Sequence, residues 1–183
     1  MIPSLYPCFK RWDRQTIWIY SDPHFNDEEL KNAFKRPTAE EQIRSINSYV
    51  GKKDTLIILG DVGDIECAKQ LRGYKILIKG NHDSGSENFE SVFDEIYAGP
   101  LFITEKILLT HEPVNIPFAF NIHGHDHNKQ ATDNSHYNVC SDVIGYKPLN
   151  FNQFIKSGAL ASVYPIHRQT IDKATKNSKR RRV

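Results

Sequence analysis

The apolar positions of the first half of the chain fall into short, nearly continuous runs separated by polar stretches with a helical period. Thr16-Ile17-Trp18-Ile19-Tyr20, Thr55-Leu56-Ile57-Ile58-Leu59 and Lys75-Ile76-Leu77-Ile78 are rich in β-branched and aliphatic residues. Runs of this kind, without polar alternation, suit strands buried on both faces. Between the first two, Thr38-Ala39-Glu40-Glu41 forms a capping box. Its helix carries an apolar stripe of Ile43, Ile46 and Val50 and is stopped by Gly51. A second helix is predicted from Asp64 to Arg72, ending at Gly73. Strand and helix signals in alternation predict an α/β layer arrangement.

The second half reads differently. Glu95-Ile96-Tyr97, Leu101-Phe102-Ile103-Thr104 and Ile107-Leu108-Leu109-Thr110 are short strand-like runs with turn residues between them, which predicts an antiparallel series. Phe120-Asn121-Ile122 and Tyr137-Asn138-Val139-Cys140 extend it, and Asn152 to Leu160 reads as a last helix. Two sheets packed face to face, with helices outside, are expected.

Length and composition narrow the class. The 183 residues suit one domain, read here as 1–170 and followed by a basic tail, 171–183, expected to be disordered. The net charge of +2 is a property of that tail. Lys173, Lys176, Lys179, Arg180, Arg181 and Arg182 fall in the last eleven residues, which carry no acid, and leave 18 basic against 22 acidic side chains in residues 1–172. Such a tail is a candidate contact for nucleic acid. No apolar run approaches the roughly 20 residues of a membrane span. The first residues lack a secretory pattern, which predicts a cytoplasmic protein. Cys8, Cys67 and Cys140 are odd in number and widely spaced, so they are expected to be buried thiols rather than a disulfide framework.

The chemistry lies in five short clusters that follow one another along the chain: Asp22-Pro23-His24, Gly60-Asp61, Gly80-Asn81-His82-Asp83, His111 and Gly124-His125-Asp126-His127. Three of them come directly after predicted strands, at the edge where α/β sheets bind ligands. The donors are carboxylate, amide oxygen and imidazole, with no thiolate, a set suited to paired divalent ions such as Mn, Fe, Zn, Ni or Mg. Asp22 and His24, one residue apart, would share a side of an extended segment, as would His125 and His127. The Asp61 carboxylate can bridge two cations, and Gly60 lets the backbone turn beside them. Asn81 adds an oxygen without charge. Two ions bring about +4, against about −2 from Asp22 and Asp61 and about −1 from a bridging hydroxide, so the centre stays positive toward a phosphate.

These blocks resemble the pattern of the calcineurin-like metallophosphoesterases, D-x-H, G-D-x-x-D, G-N-H-[D/E], H and G-H-x-H, and all are present in order from Asp22 to His127. Asp22-Pro23-His24-Phe25, Arg36-Pro37, Thr110-His111-Glu112-Pro113 and Gly145-Tyr146-Lys147-Pro148 are similar to compact members without a cap, of the bacterial and phage type. Pro23 stands where Thr or Ser is more usual. The resemblance implies a four-layer sandwich of two mixed β-sheets flanked by helices. It implies two divalent ions, Mn foremost, with Asp22, His24, Asp61 and His127 on one and Asp61, Asn81, His111 and His125 on the other. It places His82 toward the substrate, to stabilise the transition state or protonate the leaving oxygen, with Asp83 orienting it and Asp64 orienting a ligand imidazole. His123 is expected to pack behind the ligands, and His136 and His167 to be surface residues. Arg36 is open between a phosphate contact and a helix-end arginine in water. The implied reaction is hydrolysis of a phosphate ester by in-line attack of a metal-bridging hydroxide, with activity collapsing below about pH 6 as protons displace the ions. A phosphodiester of nucleotide or nucleic-acid type is favoured, with a phosphomonoester as the alternative. A non-catalytic metal-binding module on the same fold would be expected to have lost ligands or His82, and none is lost.

Overall fold

The computed structural model describes residues 5–83, 88–130 and 133–164. The basic tail and His167 lie outside the described residues. Two mixed sheets form the frame. The first has the strand order β4-β3-β2-β1-β9, built from β1 (Ile17–Tyr20), β2 (Thr55–Ile58), β3 (Tyr74–Ile78), β4 (Glu95–Tyr97) and β9 (Leu149–Asn150). Strands β1 to β4 are parallel, and β9 runs antiparallel to β1. The second has the order β5-β6-β7-β8, from Leu101–Phe102, Ile107–Leu109, Phe120–His123 and His136–Asn138.

The predicted antiparallel series is corrected here. Only β5 and β6 pair antiparallel, whereas β6, β7 and β8 run parallel, and Glu95–Tyr97 leaves this group to join the first sheet beside β3. Short strands carry little information about their partners. The long connections between β6, β7 and β8 permit the crossovers that parallel pairing needs.

Each central strand serves two cores. Ile57 and Leu59 face one way with Ile17, Ile19, Ile76 and Ile78, and meet Ile107, Leu109, Phe120 and Ile122 of the second sheet. Leu56, Ile58 and Leu77 face the other way, beneath α2 (Ala39–Tyr49) and α3 (Ile65–Lys69). This double burial is why the β2 run has no polar position. Both halves of the Thr38/Glu41 capping box form. Helix α3 is shorter than predicted and starts after Asp64. The last helix, α4 (Phe151–Lys156), starts one residue early and ends four early, with Phe151 and Phe154 in the inter-sheet core. A helix without a predicted counterpart, α1 (Glu28–Phe34), follows the first motif and buries none of its residues. Cys67 and Cys140 are buried as expected, but Cys8 is exposed. No helix among the described residues is long and apolar enough to cross a membrane.

Candidate metal centre

The loops after β1, β2, β3, β6 and β7 converge on one edge, and their backbone geometry departs from the extended segments expected. Asp22, His24, Asp61 and His125 all have positive φ, between 42° and 68°. The two side chains of each D-x-H or H-x-H pair therefore converge through sharp left-handed turns, and not through strand alternation. His125 and His127 lie in the loop beyond β7, not on a strand. Gly60, with φ +87°, lets the β2 and β3 loops touch. A Cβ there would fall 2.5 Å from the Gly80 backbone and 2.7 Å from His111 Nδ1.

Two groups of donors result. Asp22, His24 and His127 form one, and Asp61, His111 and His125 the other, each with its ligand atoms within 4.8 Å of one another. The Asp61 Oδ2 atom joins them, 3.4 Å from His24 Nε2 and 3.3 Å from His111 Nε2. Asn81 Oδ1 lies 2.8 Å from His111 Nε2, and His125 Nδ1 lies 3.2 Å from the same nitrogen. The structure thus brings together all seven residues expected to hold ions.

The two carboxylates share one design. Asp61 Oδ1 accepts the His82 backbone N–H at 2.9 Å, leaving Oδ2 between the groups. Asp22 Oδ2 accepts the His125 N–H at 2.9 Å, leaving Oδ1 3.9 Å from His127 Nε2. Asp22 Oδ1 and His24 Nε2 are buried without a hydrogen-bond partner. Buried polar atoms are rarely left so, because each unmade bond costs about 1–3 kcal/mol. A divalent cation would satisfy both atoms, and the mixed oxygen and imidazole donors fit one.

Hydrogen bonds also choose the tautomers. His111 donates Nδ1–H to the Leu59 carbonyl at 2.7 Å, and His127 donates Nδ1–H to Asp142 Oδ2 at 2.7 Å. In both rings the Nε2 is left toward the centre. Asp142 also accepts from Arg36 Nε at 3.1 Å and Tyr146 Oη at 2.5 Å. Burial pushes the Asp142 carboxyl up, but the bonds from His127 and Tyr146 outweigh it and hold the group below the usual carboxylate range. Burial and Asp142 push Tyr146 up to about 12, so it stays a donor. Arg36 is neither a phosphate contact nor in water. It is buried, and its Nη2 donates to the Asp22 carbonyl at 2.5 Å and to Ser141 Oγ. Asp142 carries no motif of its own and could not be singled out in the sequence. Gly145-Tyr146 just beyond it was the one signal nearby.

Two expected orienting roles are corrected. Asp83 touches the backbone and not the His82 imidazole. Its carboxylate accepts from the N–H groups of Asp61, Val62 and Gly80 at 2.8, 3.0 and 2.8 Å, tying the β2 and β3 loops together. Asp64 holds no imidazole. It caps α3 through the Glu66 N–H at 2.9 Å and accepts from Asn26 Nδ2 at 2.7 Å, bonds that lower its pKa. These turns leave unpaired N–H groups that a short carboxylate nearby satisfies first. His82 is exposed, with its ring 5.5 Å from that of His24. His123 is buried and bonded to the Gly124 carbonyl, behind the ligands as expected. His136 is half-buried, with its ring bridging Asp133 and the Val114 carbonyl. Cys140 Sγ approaches His127 Nδ1 at 3.6 Å, but that nitrogen already serves Asp142. Burial, reinforced by Asp22, pushes the Cys140 thiol well up, and it remains protonated.

Charge in the centre is strongly coupled. Burial pushes Asp61 up, but the His111 and His24 imidazoles beside it hold it well below the usual carboxylate range. Burial pulls His111 down, but Asp61, with Asp22 behind it, raises it to about 9. The shift is upward, so protonated His111 stabilises the metal-free fold at low pH, and this contribution is lost as pH rises through about 9. An ion needs the lone pair that this proton occupies. Its affinity should therefore increase with pH up to about 9, a higher limit for this group than the pH of about 6 expected from free imidazoles. Adding Mn to weakly buffered metal-free protein at pH 7.5 should release about one proton per chain from His111. Uptake of Mn without proton release would contradict this.

Comparison with known proteins bears on the fold and the family. A solved protein of unknown function from Aquifex aeolicus aligns with 26% identity and a TM-score of 0.66, over 77% of this chain and 98% of its own. The nuclease MPE of Pseudomonas putida aligns with 20% identity and a TM-score of 0.48, over 61% of each chain. A predicted phosphoesterase of Streptococcus pneumoniae aligns with 20% identity and a TM-score of 0.36, over 69% of this chain and 71% of its own. No curated protein matches the sequence. The family model described as calcineurin-like phosphoesterase matches residues 15–177, from the start of the first strand past the last helix and across both donor groups. The chain belongs to the calcineurin-like phosphoesterase family and is a hydrolase of phosphoester bonds.

Proposed function

We propose that this phosphoesterase is a two-metal phosphodiesterase acting on nucleotide or nucleic-acid type esters. Asp22, His24, Asp61 and His127 would hold one ion, and Asp61, Asn81, His111 and His125 the other, with Mn the first choice for this donor set. The observation that carries the reading is Asp61 Oδ2 between the two donor groups, next to the unpartnered Asp22 Oδ1 and His24 Nε2. Divalent ions held there supply Lewis acidity toward the phosphoryl oxygens.

The chain's own residues do the remaining work. Asp61 and Asp22 are fixed by backbone N–H bonds, so their free oxygens need no reorganisation during reaction. Water adds to phosphorus as the P–O bond to the leaving group breaks; His82 gives a proton to the departing oxygen, and the proton that the water loses passes to solvent, from which His82 is reprotonated. Diester preference is supported by the rim: Asn81 and His82 remain exposed, so a phosphate with substituents on both sides can lie across it. Basic residues 173–182 would add phosphate contacts on a longer substrate.

The test is a substrate panel with protein loaded separately with Mn, Fe, Zn, Ni and Mg. Bis-p-nitrophenyl phosphate should turn over faster than p-nitrophenyl phosphate. The opposite preference would make the protein a monoesterase, and failure on both esters with every ion would remove the catalytic reading.

A further inference from the structure

Among the described residues, helix α1 is an element that the sequence did not predict and that neither core uses. It buries none of its seven residues, yet both its ends are tied to the metal centre. At its start, the N-cap Asp27 donates its N–H to the His24 carbonyl at 3.1 Å. At its end, Lys35 turns the chain with φ 53°, and the next residue is Arg36, whose buried guanidinium holds the Asp22 carbonyl. The side chain presented between these anchors is Phe34. It is 37% exposed, belongs to neither core cluster, and lies with its ring 5.4 Å from His127 at an interplanar angle of 35°.

The rings then follow one another across the mouth of the site. His82 adjoins His24 at 5.5 Å, His24 adjoins His127 at 5.2 Å, and His127 adjoins Phe34 at 5.4 Å. A leaving group that takes a proton from His82 sits at one end of this row. Phe34 is the last ring in this succession, beside His127, at the position that a second ester substituent would take. A monoester has none. A flat ring held open to solvent at that point matches a flat partner, because every nucleobase has a π-face and stacking tolerates any base.

We propose that Phe34 is a specificity-determining residue that stacks on the nucleobase of the retained ester substituent, making nucleoside-bearing diesters the preferred substrates. The proposal rests on the phosphodiesterase reading for its turnover arm only.

The test uses two substrates that release the same p-nitrophenolate, thymidine 5′-(p-nitrophenyl phosphate) and methyl p-nitrophenyl phosphate, with Mn-loaded protein. Phe34→Ala should lower kcat/KM for the thymidine ester by about ten- to a hundredfold, from the usual strength of one base stack. The methyl ester should change less than twofold, and Phe34→Trp should keep the preference. A second arm measures binding without turnover. Quenching of a 2-aminopurine dinucleotide by Zn-loaded protein should be present in the wild type and lost in Phe34→Ala. Equal changes on both esters, or quenching that survives Phe34→Ala, would overturn the stacking role. Failure of the wild type to turn over either ester, with Phe34-dependent quenching intact, would remove the diesterase reading and keep the base site.

Discussion

Asp61→Asn is expected to lower phosphoesterase activity by on the order of 10²- to 10³-fold, the usual loss when a fixed electrostatic group is taken from a catalytic centre. It is also expected to leave the protein with fewer than two ions per chain. The reason is geometric. Among the described residues, Asp61 Oδ2 is the carboxylate oxygen within 3.4 Å of an imidazole in each donor group, so the two sites share its charge. Asparagine keeps the shape and can still accept the His82 N–H, so the loop should stay folded while the shared anion is lost. Metal content by elemental analysis, read beside thermal unfolding of the same variant, separates this from simple misfolding. Two ions retained at wild-type affinity in Asp61→Asn would show that the groups are independent, and the shared role of Asp61 would fail.

The second large effect is expected at a residue that no motif marks. Asp142→Ala removes the acceptor of His127 Nδ1–H, and such partners are commonly worth 10- to 100-fold in metal affinity. It also strands the Arg36 guanidinium, 99% buried, without its anion. Breaking a buried pair in this way costs about 3–5 kcal/mol of folding stability. Asp142→Asn separates the two consequences. Its amide oxygen still accepts from His127, so metal affinity should be largely kept, while the stability loss should remain because Arg36 is again unpaired. Titration with Mn and thermal unfolding of both variants provide the check. If Asp142→Ala binds Mn as the wild type does, His127 is oriented without Asp142.

The contrast between Asp61 and Asp142 shows what was legible in the sequence. Ligand types, their order and their place after buried strands are local signals, and Asp22, His24, Asp61, Asn81, His111, His125 and His127 came together as expected. Orienting roles depend on what lies across space. Asp83 and Asp64 looked like partners of imidazoles, but nearer backbone N–H groups claimed them. The true partner of His127 is 15 residues away, and Arg36 reaches it from 106 residues away. The strands behaved alike. Central β2 was clear from its composition, whereas the pairing of β4 and of β6 to β8 depends on crossovers that short runs do not encode.

The left-handed turns at Asp22, His24, Asp61 and His125 have a cost outside chemistry. A residue other than glycine in this conformation gives up on the order of 1 kcal/mol, and four such residues stand within one cluster. Glycine at any of them would relieve that strain and remove a donor at once. Selection of variants for heat resistance alone would therefore drift toward an inert protein, losing its centre first where the backbone is most reluctant. Thermal robustness in this chain has to be sought elsewhere, in the sheets and the helix ends.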